Sequence, residues 1–184
     1  MRWIPFAILV YVVVQAQTTV GKVLTVAHTP LGPVGPDLAA VVAVFLAMRL
    51  RSAAEVGLAA WALGLAVDLS SAGGVGAVTH VGVMAVTYAL AGLLVFRIRE
   101  AFFRERWVSQ VLLGLVFAAV AHLLWVFFQA MLGGQWSAWW AASKQAMALS
   151  LYTALVCPLG CHLLERVQRW LMAAPAGRAR RAGR

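Results

Sequence analysis

Long apolar runs with few charged residues decide what this 184-residue chain can fold into. Six such runs occur, and the longest exceed the roughly 20 residues that a helix needs to cross a bilayer. Hydrophobic residues make up 63% of the chain, more than a soluble domain of this size can bury. Because the runs are continuous rather than alternating, they favour helices over the strands of a membrane barrel. We therefore expect an all-α, polytopic membrane protein.

The runs predict six transmembrane helices at residues 3–20, 36–48, 53–69, 75–96, 107–132 and about 139–164. Residues 1–165 are thus expected to form one membrane domain, followed by a flexible basic tail at 166–184. Residues 14–16 loosely fit a signal-peptide cleavage site, but the apolar run continues past them, which favours a retained span. The second run is short, because its 13 residues reach only about 20 Å. It must borrow residues from its flanks or be shielded by its neighbours.

The arginines support this set of spans and predict its orientation. Every arginine lies before span one, between spans two and three, between spans four and five, or after span six. Only Lys22 and Lys144 fall elsewhere. The positive-inside rule therefore predicts that both termini face the cytoplasm. This placement, with some attraction to anionic lipid, explains the net charge of +9, and no nucleic-acid partner is expected.

Two short segments stand out from the apolar background. Pro36 and Asp37 open the second run, where proline suits a first helical turn and a carboxylate suits the positive helix end. Gly64 and Asp68 share one face near the end of the third run, followed by a turn rich in glycine. Asp68 is expected to pair with nearby serines or to accept backbone N–H bonds from residues 75–77 at the start of span four. A structural lock between spans three and four and a partner-binding role both remain open.

Other polar residues within the runs are weaker candidates. His80 and His122 fall within predicted spans four and five, where ionisable groups are either functional or serve as interhelical hydrogen-bond partners. Cys157 and Cys161 share a helical face, but a closed zinc site needs four ligands. No metalloprotease, hydrolase or nucleotide-binding motif occurs. The chain is therefore not expected to be an enzyme or to carry a cofactor.

The two segments together resemble the MreD family of bacterial rod shape-determining membrane proteins. The resemblance rests on Pro36-Asp37, on the run from Gly64 through Asp68 to Leu69, and on the turn that contains Gly73 and Gly76. Length, number of spans and the basic loop after span four also fit, whereas spans five and six offer little to match. The Arg-rich tail and the cluster of tryptophans around residue 139 are not features of the family.

The resemblance implies a non-enzymatic scaffold in the inner membrane, part of the cell-elongation machinery that guides lateral peptidoglycan synthesis and cell shape. Implied partners are an MreC-like single-span protein, an MreB-type cytoskeleton and wall-synthesis enzymes. The implied fold is similar to the six-helix substrate-binding component of energy-coupling-factor transporters. Pro36, Asp37, Gly64, Asp68, Gly73 and Gly76 would then be the partner-binding or structural motif.

Two alternatives compete with the scaffold. The first is a vitamin-like small-molecule binder of a membrane uptake system, whose pocket the Gly/Pro segment at 31–36 would cover. Its span one, however, lacks the Ala-x-x-x-Ala spacing with which such components dock. The second is an intramembrane enzyme that uses Asp68 with His80 or His122, although no spacing in the sequence requires it.

Overall fold

A computed structural model describes residues 3–21, 23–26, 32–71, 80–101, 107–134 and 136–172. Within these ranges the chain is helical apart from loops and one isolated antiparallel bridge between Val26 and Val34. The six α-helices are α1 (Trp3–Ala16), α2 (Leu38–Arg49), α3 (Ala53–Ser71), α4 (Val83–Ile98), α5 (Trp107–Gly133) and α6 (Trp139–Met172). A π-helical turn, Gln17–Gly21, extends α1.

Among the described residues, four helical segments are long and apolar enough to cross a membrane. They are Ile4–Gly21, Ala53–Ser70, Trp107–Gly133 and Trp136–Val167. The helices α2 and α4 are apolar but shorter. The all-helical, membrane-compatible architecture is thus confirmed, and the count of six spans remains a prediction.

The helix α2 forms the centre of the bundle. It packs against α1, α3, α4, α5 and α6, and nine of its 12 residues are buried. Val41 and Val44 are 3% and 1% exposed, so apolar side chains are enclosed on all sides. An all-round apolar helix is stable in such surroundings. The expectation that neighbouring helices shield this short segment is confirmed.

The helix α2 ends where arginine side chains gather, here called the arginine end of the bundle. Arg99 follows α4, is 5% exposed and donates from Nη1 to the backbone oxygens of Ala47 and Leu50, both at 2.6 Å. These carbonyls belong to the last turn of α2, where a cation also complements the helix dipole. Arg49, the last residue of α2, forms an ion pair with Glu165 of α6.

Two helix bounds differ from the sequence prediction. The helix α4 begins at Val83 and not at residue 75, because Gly82 has a left-handed φ of +99° that a continuing helix cannot contain. The last helix is longer than expected, since α6 continues past residue 164 to Met172. The predicted bounds of α2, α3 and α5 agree with the structure to within two residues.

Replacing Arg99 tests how α2 is terminated. We expect Arg99→Met to lower the free energy of unfolding by about 2–3 kcal/mol, because two buried carbonyls lose a charged donor. The matched change Arg97→Met removes an exposed arginine two residues earlier and should shift it by less than about 0.5 kcal/mol. Thermal unfolding of both variants in one detergent measures the difference, and equal stability would refute the capping role.

Candidate functional site

Asp37 begins α2 and lies deep in the bundle. Its backbone is extended, and Oδ1 accepts a hydrogen bond from the Ala40 amide at 3.1 Å, which is the geometry of a helix N-cap. The residue is 4% exposed. The prediction that Asp37 suits the positive end of this helix is confirmed. Pro36 differs slightly from expectation, because it precedes the cap and does not occupy the first helical turn.

Side chains from two other parts of the chain bind three more backbone groups around this cap: the Leu38 amide, the Pro36 oxygen and the Asp37 amide. The Gln17 side chain, held by the π-helical turn after α1, accepts from the Leu38 amide at 2.7 Å and donates to the Pro36 oxygen at 3.2 Å. Thr153 of α6 accepts from the Asp37 amide at 2.9 Å. Side-chain hydrogen bonds therefore join the start of α2 to the turn after α1 and to α6.

The second carboxylate oxygen of Asp37 meets two aromatic side chains. The Tyr88 hydroxyl from α4 donates to Oδ2, and His122 Nε2 from α5 lies 3.2 Å from the same atom. Tyr88 is fully buried and packs edge-on against Phe117 at 5.2 Å between ring centroids. Asp37, Tyr88 and His122 form a buried cluster, here called the Asp37 cluster.

The hydrogen bonds of His122 fix how many protons the cluster holds. Its Nδ1 lies 2.8 Å from the Ala118 oxygen, and a carbonyl can only accept, so Nδ1 carries a hydrogen. The contact between Nε2 and the Asp37 carboxylate then requires one more proton between these two groups. The pair is either imidazolium with carboxylate or imidazole with carboxylic acid. Its net charge is zero in both states.

The cluster lies near the middle of the long helices. His122 is about 16 Å from the end of α5 at Gly133 and about 22 Å from its start at Trp107, at 1.5 Å per residue. An isolated carboxylate at this depth is costly, whereas a paired, hydrogen-bonded one is tolerated. The short helix α2 therefore starts about halfway through the bundle and leaves space beyond its N-terminus.

That space is a cavity of about 450 Å³, and Asp37 and His122 are among the residues that line it. Its walls come from α3, α4, α5 and α6 and from the segment between α1 and α2. Apolar side chains dominate them, among them Val67, Met84, Trp125 and Leu149. The segment between α1 and α2 is hydrogen-bonded to α6 at two points. Gln145 donates to the Pro33 oxygen and Tyr152 donates to the Leu24 oxygen, both at 3.1 Å.

Asp68 closes the junction between α3 and α4. Its Oδ2 accepts from the amides of Gly82, Met84 and Ala85 at 2.8, 3.0 and 3.4 Å, and thus caps a helix that has no side-chain cap of its own. The expectation that Asp68 accepts backbone bonds from the start of span four is confirmed in kind. The amides that it meets belong to Gly82, Met84 and Ala85, at the start of α4, whereas the predicted residues 75–77 lie outside the described residues.

Gly64 lies one turn before Asp68 on the same face of α3. A Cβ at this position would lie 2.5 Å from the Met84 oxygen and 2.7 Å from the Ala85 Cα. The two backbones are therefore in direct contact, and this contact brings the first turn of α4 within reach of Asp68. The spacing Gly-x-x-x-Asp has a single physical explanation: the glycine permits the approach and the carboxylate caps the helix that approaches.

The remaining candidates lie apart from these contacts. His80 precedes α4 in a turn, since the helix begins three residues later, and its place within span four remains a prediction. Gly73 and Gly76 lie outside the described residues. Cys157 and Cys161 are buried with their Sγ atoms 3.9 Å apart. Across the described part of the chain, no group of three or more His, Cys, Asp or Glu could hold a metal ion.

Sequence reasoning found Asp37 and His122 separately but not their contact. The two residues are 85 positions apart, and periodicity carries no information about such pairs. It also missed Gln17, Tyr88 and Thr153. A polar residue inside an apolar run was the available signal for all three, since such groups need partners in a membrane interior.

Comparisons with protein-family models, with curated proteins and with solved structures each returned no match to this chain. The resemblance to MreD proteins therefore rests on the two motifs and on the pattern of spans.

Substituting Gly64 tests the contact between α3 and α4. Gly64→Ala should lower the free energy of unfolding by about 2–3 kcal/mol, because the new Cβ meets backbone atoms that cannot rotate away. Gly57→Ala is the matched control on the same helix, since its Cβ would only touch the Leu93 side chain at 3.5 Å. Denaturation of both variants in the same detergent gives the comparison. Similar values for both would contradict the close approach.

Substituting Asp37 tests the buried cluster. Asp37→Ala should destabilise the protein by about 3–5 kcal/mol, because His122 and Tyr88 lose their common acceptor and the helix loses its cap. Tyr88→Phe removes one donor and should lose only about 1 kcal/mol. Asp37→Asn keeps a capping oxygen and should fall between the two. Unfolding midpoints measure this order, and a neutral Asp37→Ala would refute it.

Proposed function

We propose that this protein is a non-enzymatic membrane scaffold that binds a single-span partner of the MreC type, as the resemblance to MreD proteins implies. In this proposal both termini face the cytoplasm, and the arginine end of the bundle lies on the cytoplasmic side of the inner membrane. The bound assembly would support lateral peptidoglycan synthesis and cell shape.

The Asp68 junction is the observation that carries the proposal. The motif residues Gly64 and Asp68 hold the ends of α3 and α4 together, and two apolar side chains next to this junction are exposed. Leu69 is 63% exposed and Val81 is 54% exposed. Apolar groups held in a fixed position at a membrane-facing surface suit contact with another transmembrane helix.

Asp68 itself is 8% exposed, so it supports this surface from within and does not reach a partner. Its three backbone acceptances fix where α4 begins, and with it the position of Val81 relative to Leu69. A variant at Asp68 should therefore disturb partner contact indirectly, by loosening the junction.

Site-specific photocrosslinking in native membranes tests this surface. A crosslinker placed at residue 69 or 81 should capture an MreC-like single-span protein, identified by mass spectrometry. The matched control positions are Leu155 and Leu159, which are similarly exposed but lie on α6. We expect capture at positions 69 and 81. This capture should be lost in the Asp68→Ala variant when that variant is present at normal abundance.

Two outcomes would contradict the scaffold. Equal capture at the α3–α4 and α6 positions would show that contacts are non-specific. Recovery of a paired ATPase module with its coupling protein would favour the vitamin-uptake alternative, for which the cavity next to Asp37 is the supporting observation.

A further inference from the structure

The cavity beyond the N-terminus of α2 has the size of a small-molecule site, and partner docking at the α3–α4 junction does not use it. Its volume of about 450 Å³ falls within the range of ligand pockets, which are apolar cavities with a few converging polar groups. Here the polar groups are Gln17, Thr25, Asp37, His122 and Gln145. We propose that this cavity binds a small molecule with a protonated amine, whose ammonium replaces the shared proton of Asp37 and His122.

Two lining side chains keep acceptor atoms for a ligand. Thr25 donates its hydroxyl hydrogen to the Gly21 oxygen, and Gln145 donates one amide hydrogen to the Pro33 oxygen. The oxygen of each side chain can therefore accept a hydrogen bond, and Gln145 also keeps its second amide hydrogen. Gln17 is bonded at both ends to the backbone around Asp37. A ligand that donates hydrogen bonds finds acceptors here, among them the Asp37 carboxylate.

The charges favour a cation over an anion. Among the described lining residues the ionisable side chains are Asp37 and His122, and neither lysine nor arginine contributes to the walls. The positive end of α2, which would otherwise attract an anion, is already neutralised by the Asp37 cap. Trp125 adds an aromatic wall that suits an ammonium group and its attached carbon atoms.

The proton held between Asp37 and His122 makes the exchange electrically neutral. Without ligand, the pair carries one shared proton and no net charge. When an ammonium ion pairs with the Asp37 carboxylate, that proton leaves to bulk water and His122 remains as neutral imidazole with its Nδ1 hydrogen on Ala118. The cavity therefore gains a cation and loses a proton, so no uncompensated charge is buried.

The groups that face His122 are few. Asp37 approaches from the start of α2, and Tyr88 of α4 is bonded to the same carboxylate oxygen, while the Ser150 hydroxyl of α6 lies 3.4 Å from Nδ1. Asp68 of α3 is bonded to the start of α4. The exchangeable proton is therefore the one between Asp37 and His122.

Isothermal titration calorimetry of the full-length protein in detergent micelles tests the proposal with three phenylalkyl probes that differ in charge. They are 2-phenylethylamine, 2-phenylethanol and 3-phenylpropionate, which are cationic, neutral and anionic. The amine should bind at least tenfold more tightly than the alcohol, and the carboxylate should not bind. Parallel titrations in phosphate and HEPES should show about one proton released per amine bound. Amine affinity should consequently rise with pH by up to tenfold per unit.

One substitution at Asp37 and one matched pair at residues 141 and 142 locate the effect. Asp37→Asn retains a capping oxygen and should fold, but it should remove the preference for the amine over the alcohol. Ala142→Phe places a ring in the cavity and should abolish amine binding, whereas Ala141→Phe changes its exposed neighbour and should leave binding intact. Size-exclusion chromatography and circular dichroism establish that each variant is folded.

Three results would overturn the proposal: no saturable amine binding at millimolar concentration, equal affinity for amine and alcohol, or binding without proton release. Retained amine preference in a folded Asp37→Asn variant would equally remove Asp37 from the site. None of these results depends on whether the α3–α4 surface captures a partner, so the two proposals fail separately.

Discussion

The start of α2 inside an apolar bundle is the constraint on which the rest of the structure depends. A helix leaves four amide groups unpaired at its start, and no bulk water is available at this depth to satisfy them. Asp37, Gln17 and Thr153 supply partners for three of these amides, those of Ala40, Leu38 and Asp37, from three separate parts of the chain. The central helix is therefore fixed in position by hydrogen bonds that α1 and α6 help to form, and the apolar core packs around a framework of capped ends.

The same solution recurs at the end of α2 and at the start of α4. Asp68 caps the start of α4 from α3, and Arg99 caps the end of α2 from the segment after α4. Each acid thus lies at a positive helix end and this buried arginine at a negative one, as the helix dipole favours. Each of these ionic side chains satisfies backbone groups of a helix that it does not belong to, apart from Asp37, which caps its own.

Hydropathy and charge placement predicted the helices well where apolar runs end at loops, as at α2, α3 and α5. They failed at the start of α4, because hydropathy cannot detect a glycine with positive φ such as Gly82. The role of Asp68 could be inferred, since a carboxylate near a helix end seeks amides. The contact of Asp37 with His122 and Tyr88 could not, because it joins three elements whose packing no local pattern encodes.

A helix cap does not by itself require the groups found at Asp37. Serine or asparagine caps a helix with one oxygen and introduces no charge. Here the cap has a second oxygen, which contacts His122 and accepts a hydrogen bond from Tyr88. An ionisable pair is therefore removed from water about halfway along α5, which costs free energy. The pair also faces a cavity that exists only because α2 starts so late. Because α2 starts inside the bundle, its first amides need a cap, and a cavity lies beside that cap. An ionisable cap in that space can exchange its proton for a ligand cation, which a serine or asparagine cap could not do.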